Sequence, residues 1–310
     1  MKGEEMRVIG IDVGGSKIRG ALVSRDGSLQ RVIEISTEAD KGGLHVVRRV
    51  LSIIKELLEQ SVLGIGIGTA GQVGFDGSIL GATNTFPGWT GIPLKKIVES
   101  ETYLPVKVVN DVHAMALGEL YFGEAKGVQH FLCLALGTGV GGAIVINRKL
   151  FRGSTGAAGE IGHLIIHPNG RSCPCGRKGC LEAYVSATAL TKRYEEKTGI
   201  KMKASEILKN SLLGKELEAE IIKDFLEDLA NALASLVSIF DPQKIILGGG
   251  IAKELLPYLK KLMDMVKYQL NPTRQPTFRL SISQLGGDAM ILGAASLFLK
   301  EGELYNEEME

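Results

Sequence analysis

The sequence lacks the features of an exported or membrane-bound chain. Its first six residues are largely polar, and a strand-like apolar run begins at Arg7, so no secretory signal is evident. The uncharged stretch over residues 131–146 spans 16 residues and contains four glycines, whereas a membrane helix needs about 20 apolar residues. We therefore expect a cytoplasmic protein with no membrane partner.

The chain also lacks an excess of charge of either sign. Its 36 Lys and Arg residues are balanced by 35 Asp and Glu residues, which leaves a formal net charge of +1. Proteins that bind duplex nucleic acid normally carry a basic excess, so we expect no nucleic-acid partner. With 310 residues, 45% of them apolar, the chain exceeds the size of one hydrophobic core, and we expect two lobes.

Two familiar nucleotide-binding motifs are absent. The sequence contains no G-x-x-x-x-G-K-[ST] P-loop, and no G-x-G-x-x-G follows the first predicted strand. Glycine itself is abundant, with 40 residues, roughly twice the usual share of about 7%. Glycine allows a backbone to approach phosphate groups closely, so a different kind of phosphate site is favoured.

The apolar patterns predict an α/β protein. We expect strands at residues 7–11, 17–23, 31–36, 62–68, 106–110, 131–136, 143–147, 244–247 and 277–284, and helices at 43–60, 94–100, 112–121, 216–240 and 289–300. An irregular segment covers residues 153–180. A strand, a glycine-rich turn and a second strand occur twice in the same order, which indicates an internal duplication of one phosphate-binding module.

Three glycine clusters follow predicted strands. The first contains Asp12, Gly14, Gly15, Ser16 and Lys17, the second Gly137, Thr138 and Gly139, and the third Gly248, Gly249 and Gly250. Glycine amides and a hydroxyl suit phosphate oxygens, and an aspartate at a strand end suits a magnesium ion held through water. The first turn alone is equally typical of a β-hairpin. Three such clusters in one chain favour phosphate binding.

Three of the four cysteines fall within eight residues. Cys173, Cys175 and Cys180, with His163 ten residues upstream of the first, can complete a tetrahedral zinc shell that leaves no position for water, as in structural sites. Reduced buried cysteines or an incidental disulfide are the alternatives, and His167 is an alternative ligand. Cys133 lies in an apolar strand and fits a core position.

Two glutamates flank the cysteine segment. Glu160 lies three residues before His163, and Glu182 lies two residues after Cys180. A metal that fixes this loop would also fix both carboxylates, which could then accept hydrogen bonds from sugar hydroxyls. Without the metal, two solvent-exposed glutamates are the simpler interpretation.

Asn110 and Asp111 stand where a predicted strand ends and a helix begins. Asp111 is a good helix N-cap residue by position alone. A carboxylate at a strand end is also where α/β proteins build their sites. Both interpretations are open from the spacing.

Five segments together resemble the ROK family of bacterial sugar kinases and repressors. They are residues 12–17, 110–111, 136–142, 160–163 and 173–182, and the last two are the most specific. The first segment has Ser16 where the family usually has threonine, which keeps the hydroxyl. The resemblance implies a two-lobed actin/hexokinase/Hsp70-like ATPase fold, built from duplicated ribonuclease H-like domains, with a zinc-bound loop.

The resemblance also implies roles for individual residues. Asp111 would be the general base, and sugar contacts would come from Gly71, Asn84, Asn110, Asp111, Glu160, His163 and Glu182. The first two glycine clusters would hold ATP phosphates and the third the adenosine. His163 would serve both zinc and sugar through its two ring nitrogens.

The expected protein is an ATP-dependent kinase of a hexose, with glucose as the first candidate. It would use Mg²⁺ and a structural Zn²⁺, and it would form a homodimer or homotetramer. We expect a small lobe at 1–112, joined by a C-terminal helix at 290–310, and a large lobe at 113–289 with the zinc loop and nucleotide site. The alternatives are an N-acetylmannosamine, N-acetylglucosamine, fructose or mannose kinase. A more remote alternative is a repressor that lacks its DNA-binding domain, since such a domain would precede the first strand, which begins at Arg7.

Overall fold

The computed structural model describes residues 6–82, 86–271 and 277–300. The strands are, in chain order, β1 (Arg7–Val13), β2 (Lys17–Ser24), β3 (Leu29–Ser36), β4 (Val62–Thr69), β5 (Gln72–Val73), β6 (Ile79–Gly81), β7 (Val106–Asn110), β8 (Phe131–Leu136), β9 (Val140–Ile146), β10 (Lys149–Leu150), β11 (Lys244–Gly248) and β12 (Arg279–Ile282). The α-helices are α1 (Gly43–Leu57), α2 (Leu94–Thr102), α3 (Asp111–Phe122), α4 (Glu182–Val185), α5 (Ala187–Thr198), α6 (Ala204–Leu212), α7 (Glu216–Phe240), α8 (Leu259–Gln269) and α9 (Asp288–Leu299).

The first sheet has the strand order β3–β2–β1–β4–β7. Strands β1 and β2 pair antiparallel, as do β2 and β3, while β1, β4 and β7 run parallel. The apolar residues of β1 alternate between its two faces: Ile9 and Ile11 join the core that includes α1, whereas Val8 joins the cluster with α9. The sheet is therefore covered by helices on both faces, and its parallel strands are buried.

Two glycines of the first sheet allow α9 to approach its strands closely. A Cβ atom at Gly10 would lie 2.5 Å from the carbonyl oxygen of Ile291, and one at Gly66 would lie 1.9 Å from that of Ala294. Any side chain at either position would push the helix away from the sheet. This close packing places α9 against β1 and β4, whose carboxyl ends carry candidate site residues.

The second sheet repeats the plan of the first. Its strand order is β10–β9–β8–β11–β12, in which β10 and β9 are antiparallel and β8, β11 and β12 run parallel. In the first sheet, β2 and β3 lie on one side of β1, and β4 and β7 lie on the other. In the second sheet, β9 and β10 lie on one side of β8, and β11 and β12 lie on the other. The repeated plan predicted from the two glycine turns is thus present in the strand order.

The chain divides into two compact units. The first comprises the chain up to Gly127, the segment Ile144–Ala158 and the chain from Leu285 onward, and the second comprises Val128–Ala143 and Gly159–Gln284. The helix predicted at the C-terminus ends at Leu299 as α9 and belongs to the first unit. Residues 301–310, which the predicted lobe boundary includes, lie outside the described residues.

Several helices and strands begin or end at residues other than those predicted, each for a local reason. The first predicted helix ends at Leu57 rather than residue 60, because Leu58 has an extended backbone. Strand β9 begins at Val140 and ends before Asn147, whose φ of 52° belongs to a left-handed turn. The third glycine cluster is followed first by a 3₁₀ segment, Lys253–Tyr258, that contains Pro257. Proline lacks an amide hydrogen, and the α-helix begins only after it.

Candidate active site and metal centre

The parallel strands of the first unit end at a common edge that collects the predicted residues. In the strand register, Asp12 of β1 pairs with Gly68 of β4, and Thr69 of β4 pairs with Asn110 of β7. The carboxyl ends of parallel strands are where α/β proteins place ligand sites. Within this unit the structure therefore brings together Asp12, the turn after β4, Asn110 and Asp111.

Asn110, and not Asp111, is the N-cap of α3. Its Oδ1 accepts hydrogen bonds from the amides of Val112 (2.9 Å) and His113 (3.2 Å). Asp111 is the first helical residue, half-buried, with its Oδ1 2.9 Å from the Val112 amide. The N-cap interpretation of Asp111 was wrong, because its neighbour performs that role. The carboxylate of Asp111 lies instead on the helix N-terminus, where negative charge is favoured.

Asn110 also connects the helix start to the turn at Gly71. Its Nδ2 donates to the carbonyl oxygen of Gly71 at 3.0 Å. Gly71 has a φ of +99°, and a Cβ there would lie 2.7 Å from the carbonyl oxygen of Gly81, so a glycine is required. The buried Trp89 supports the same turn through Nε1, which lies 3.2 Å from Thr69 Oγ1. Asn84, the other predicted residue of this loop, lies outside the described residues.

Asp12 has an unusual carboxyl group. Burial, followed by the negative charge of the neighbouring Asp111, raises the pKa of Asp12 to about 7, although the Arg19 guanidinium opposes this. Arg19 is itself held by Asp288, whose Oδ1 accepts from Nη2 at 2.8 Å. Two neighbouring carboxylates at the end of parallel strands form an arrangement that a cation would stabilise.

The first glycine turn is held through its carbonyl groups. Thr37 donates from its hydroxyl to the carbonyl oxygen of Gly14 at 2.6 Å and from its amide to that of Ser16 at 3.0 Å. Gly15, Ser16 and Lys17 are exposed, and the Lys17 ammonium forms an ion pair with Glu34. The turn is a β-hairpin connection whose carbonyls are occupied. The hairpin interpretation is confirmed, with the Gly14 amide donating to the Lys17 carbonyl oxygen at 2.9 Å, and phosphate binding by this loop stays a prediction.

His113 is a residue of this region that the sequence did not single out. It is 2% exposed, and its Nε2 lies 2.8 Å from the carbonyl oxygen of Ala158. Burial lowers the pKa of His113 to about 4, against the effect of the Ala158 bond and with a further lowering by Arg152. The ring is therefore neutral at pH 7 and ties α3 to the segment that leads to Glu160. Its spacing from Asp111 in the sequence carries no signal of this contact.

The second glycine turn is fixed within the second unit. The amide of Ala187 donates to the Gly137 carbonyl oxygen at 2.8 Å, and the Thr188 hydroxyl donates to that of Thr138 at 2.7 Å. Thr138 itself is exposed. As in the first turn, neighbouring groups engage the carbonyls, which leaves a rigid backbone beside an exposed hydroxyl.

The third glycine cluster packs against the start of the second turn. Gly248 pairs with Ala135 in the parallel register, and Gly249 has a φ of +88°. A Cβ at Gly249 would lie 2.5 Å from the carbonyl oxygen of Leu136. Gly250 is exposed with open space beside it. The predicted clusters at 137–139 and 248–250 therefore lie side by side.

The four predicted metal ligands form a cluster in the second unit. One ligand atom each from His163, Cys173, Cys175 and Cys180 lies within 4.8 Å of the others. All cysteines are free thiols, and the Sγ atoms of Cys175 and Cys180 are 3.7 Å apart, too far for a disulfide bond of about 2.05 Å. Cys133 is buried in β8, as predicted for a core residue. One imidazole and three sulfur atoms at this spacing fit a tetrahedral zinc shell.

The thiols of the cluster differ in acidity. Burial raises the pKa values of Cys173 and Cys180. Burial would also raise that of Cys175, but hydrogen bonds from the Arg177 backbone, Cys173, the Arg177 side chain and Cys180 lower it to about 7. One thiolate is thus accessible near neutral pH, and thiolates are the form that binds metal.

His163 presents its two ring nitrogens to different groups. Nδ1 lies 3.8 Å from the Cys173 Sγ atom, whereas Nε2 lies 3.8 Å from Oε2 of Glu160. The ring therefore points one nitrogen at the sulfur cluster and the other at the exposed carboxylate. This is the orientation that the dual use of His163 requires.

Glu182 joins the cysteine loop to the second glycine turn. Its Oε2 accepts from the Val140 amide at 2.9 Å, and its Oε1 lies 3.6 Å from the Cys173 Sγ atom. A Cβ at Gly139 would lie 2.4 Å from Oε2, so a side chain there would displace the Glu182 carboxylate from the Val140 amide. The sequence placed Glu182 beside the predicted metal ligands, but nothing in the pattern indicated its contact with the Val140 amide.

His167 does not belong to the sulfur cluster. Its Nε2 lies 2.6 Å from Oδ1 of Asp228 on α7, so its interpretation as an alternative metal ligand was wrong. Asp228 follows the helical pattern of α7 and gives no sign of this contact in the sequence.

The chain thus has two mixed β-sheets with the same plan of strands, a glycine turn after the first strand of each sheet, and a loop that carries one histidine and three cysteines. The chain belongs to the ROK family, whose family model matches residues 8–301. It is 34% identical to a glucokinase from Thermotoga maritima over 94% of the chain and 97% of that protein. A glucokinase from Halalkalibacterium halodurans is 32% identical over 93% of this chain and 94% of the length of that glucokinase.

Two solved structures and a transcriptional repressor are also similar to this chain. A ROK family glucokinase from Streptomyces griseus, in complex with glucose and AMPPNP, superposes with a TM-score of 0.83 at 32% identity, over 94% of this chain and 98% of that one. A putative N-acetylmannosamine kinase from Listeria monocytogenes gives a TM-score of 0.83 at 27% identity, over 96% and 99%. The xylose repressor of Caldicellulosiruptor bescii is 30% identical, over 95% of this chain and 78% of the repressor.

Helices long and apolar enough to cross a membrane are not found among residues 6–82, 86–271 and 277–300.

Proposed function

We propose that this protein, a sugar kinase of the hexokinase type, transfers the γ-phosphoryl group of ATP to a hexose hydroxyl, with glucose as the first substrate. The observation that carries the proposal is the position of Asp111. Its carboxylate stands at the N-terminus of α3, next to Asp12 and at the edge where three parallel strands end, while Asn110 performs the capping. The glucose and AMPPNP complex of the Streptomyces griseus glucokinase supports this choice of substrates.

Asp111 would act as the general base. A carboxylate at hydrogen-bond distance from the reacting hydroxyl accepts its proton as the bond to phosphorus forms. The sugar contacts predicted for Gly71, Asn84, Asn110, Glu160, His163 and Glu182 would orient that hydroxyl. Asn110 is well suited to this role, because its hydrogen bonds to the helix start and to Gly71 hold its side chain in one orientation.

The glycine turns would bind ATP. Asp12, Gly14, Gly15, Ser16 and Lys17 and the turn at Gly137, Thr138 and Gly139 would hold the phosphates, and Gly248, Gly249 and Gly250 the adenosine. The amides of Gly14 and Gly137 donate to the carbonyl oxygens of Lys17 and Gly139, so the phosphates would meet the remaining amides of these turns and the exposed hydroxyls of Ser16 and Thr138. Magnesium, which Asp12 would hold through water, neutralises phosphate charge when bound.

His163, Cys173, Cys175 and Cys180 would hold a structural zinc ion. The donor set of one nitrogen and three sulfurs fits zinc, and the Cys175 thiol has a pKa of about 7 that favours the required thiolate. The ion would close the loop and thereby fix the positions of Glu160 and Glu182 for the sugar.

The two units would be the small and large lobes of the kinase. The lobes were predicted as 1–112 with the C-terminal helix 290–310, and as 113–289. In the structure α3 and Ile144–Ala158 lie in the first unit. A homodimer or homotetramer stays a prediction, which light scattering on the purified protein would test.

The proposal is tested with a panel of acceptors and donors. Glucose, mannose, fructose, N-acetylglucosamine and N-acetylmannosamine would each be offered with ATP, ADP or polyphosphate, and product formation measured with Mg²⁺ present. We expect the highest kcat/KM for glucose with ATP. A preference for an N-acetylated sugar would assign the protein to that kinase instead, and no transfer to any sugar, with retained sugar binding, would favour a sugar-sensing regulator.

A further inference from the structure

A buried ion-pair network stands behind the cysteine loop and lies outside the proposed catalytic groups. Asp228 of α7 accepts from Nη2 of Arg193 on α5 at 2.6 Å through Oδ2, and its Oδ1 lies 2.6 Å from Nε2 of His167. The side chains of Arg193 and Asp228 are 8% and 10% exposed, whereas that of His167 is 46% exposed. The network therefore runs from the interior of the second unit to the loop at its surface.

The backbone of His167 packs directly against the residue before Cys180. The His167 amide donates to the Gly179 carbonyl oxygen at 3.3 Å, and that of Ile166 donates to the same oxygen at 2.9 Å. Gly179 has a φ of +81°, and a Cβ there would lie 1.9 Å from the His167 carbonyl oxygen. A displacement of His167 would therefore displace Gly179 and, with it, the sulfur of Cys180.

Tyr184 attaches the same network to the other side of the loop. Its ring lies 4.5 Å from the His167 ring, and the Arg193 guanidinium lies 5.4 Å from its centroid. Its hydroxyl accepts from the Arg171 amide at 2.7 Å, two residues before Cys173. Arg171 and Gly179, which lie on either side of Cys173 and Cys175 in the chain, are thus both in contact with the group formed by Arg193, Asp228, His167 and Tyr184.

We propose that His167 and Asp228 are positioning residues that hold the cysteine loop in its metal-binding and sugar-binding geometry. This inference rests on the proposed zinc site. The aspartate, fixed by Arg193, holds the imidazole of His167. The backbone of His167, held in place by its side chain, in turn positions Gly179, the residue before Cys180. Groups that support metal ligands from outside typically change metal affinity by about 10–100-fold when they are removed.

The test uses the full chain and two variants of the network. His167→Phe keeps a ring beside Tyr184 but removes the nitrogen that meets Asp228, and the half-exposed position tolerates the change. Asp228→Asn removes the charge that faces Arg193. Glu220→Gln is the matched control, because Glu220 pairs with Lys197 at 2.7 Å and so also links α7 to α5, but both side chains are exposed and neither contacts His167 or Asp228 in the hydrogen bonds described.

Zinc release is measured with a chromogenic chelator, and KM and kcat are measured separately for hexose and for ATP. We expect both network variants to release zinc about tenfold faster than wild type and to raise the hexose KM about fivefold or more, with the ATP KM and kcat changed by less than about twofold. The control should match wild type in every value. When cobalt replaces zinc, the visible absorption bands of the two network variants should be shifted relative to those of wild type, and the bands of the control should not.

The outcomes separate this inference from the proposed function. Wild-type release rates and hexose KM values in a folded His167→Phe protein would overturn it, as would an equal effect of Glu220→Gln. If the wild-type protein holds no zinc, the metal assignment fails and the inference with it. If wild type holds zinc but phosphorylates no sugar, the kinase assignment fails, and the zinc-release rates still decide the role of the network.

Discussion

Asp111→Asn removes the proposed base with little change in shape. The asparagine keeps an oxygen for the Val112 amide, 2.9 Å away, and α3 keeps its cap because Asn110 provides it. The loss of one negative charge at a helix N-terminus costs about 0.3–1 kcal/mol of stability. An amide cannot accept the hydroxyl proton, and general-base losses are about a hundredfold or more, equivalent to about 2.7 kcal/mol in the barrier.

The assay is steady-state kinetics with glucose and ATP, combined with thermal unfolding of each variant. We expect kcat to fall at least about a hundredfold while KM for ATP stays within about threefold. Glu216→Gln is the matched control, since Glu216 is the first residue of α7 and is exposed; it should keep full turnover. An Asp111→Asn protein that retains more than about a tenth of wild-type kcat would remove Asp111 from the role of base.

Three further predictions concern the metal, the second turn and Asp12. Metal analysis should find one zinc per chain, and a fully active, zinc-free protein would contradict the role assigned to the cysteines. Gly139→Ala should lower the free energy of unfolding by about 1 kcal/mol, the value of a lost hydrogen bond, because its Cβ would displace Oε2 of Glu182 from the Val140 amide. Gly137→Ala, with open space at that position, should have little effect, and equal melting temperatures would refute the contact. Asp12 has a folded pKa of about 7 against 3.8 in the unfolded chain, so the folded state retains a proton between these values and stability should fall as pH rises from about 4 to 7. In metal-free protein, Asp12→Asn should flatten that slope and add about 1–3 kcal/mol at pH 8, and an unchanged melting profile would show that Asp12 is an ordinary carboxylate.

The periodic elements follow from the sequence because their apolar residues decide them locally. Helix α7 begins at Glu216 and ends at Phe240, and β7 and β8 have their predicted ends. Ends that depend on one dihedral angle, such as the extended backbone of Leu58, are not encoded in any pattern of apolar residues.

The candidate site shows the same division. The cluster of His163, Cys173, Cys175 and Cys180 could be predicted because cysteine and histidine at short spacing have few other uses in a chain without disulfides. The capping by Asn110 could not, because asparagine and aspartate are about equally good N-cap residues and the choice depends on tertiary contacts such as the one to Gly71. The contact between His167 and Asp228 joins residues 61 positions apart, a distance over which no local pattern carries information.

The dual attachment of Glu182 has a consequence for how the second unit can change. One oxygen of this side chain accepts from residue 140 while the other faces Cys173, so the loop that follows β8 and the sulfur-bearing loop share a single anchor. A substitution that adapts one of these loops to a new ligand must also preserve the other, or both lose their common support. Diversification of such a protein should therefore proceed through segments that Glu182 does not touch.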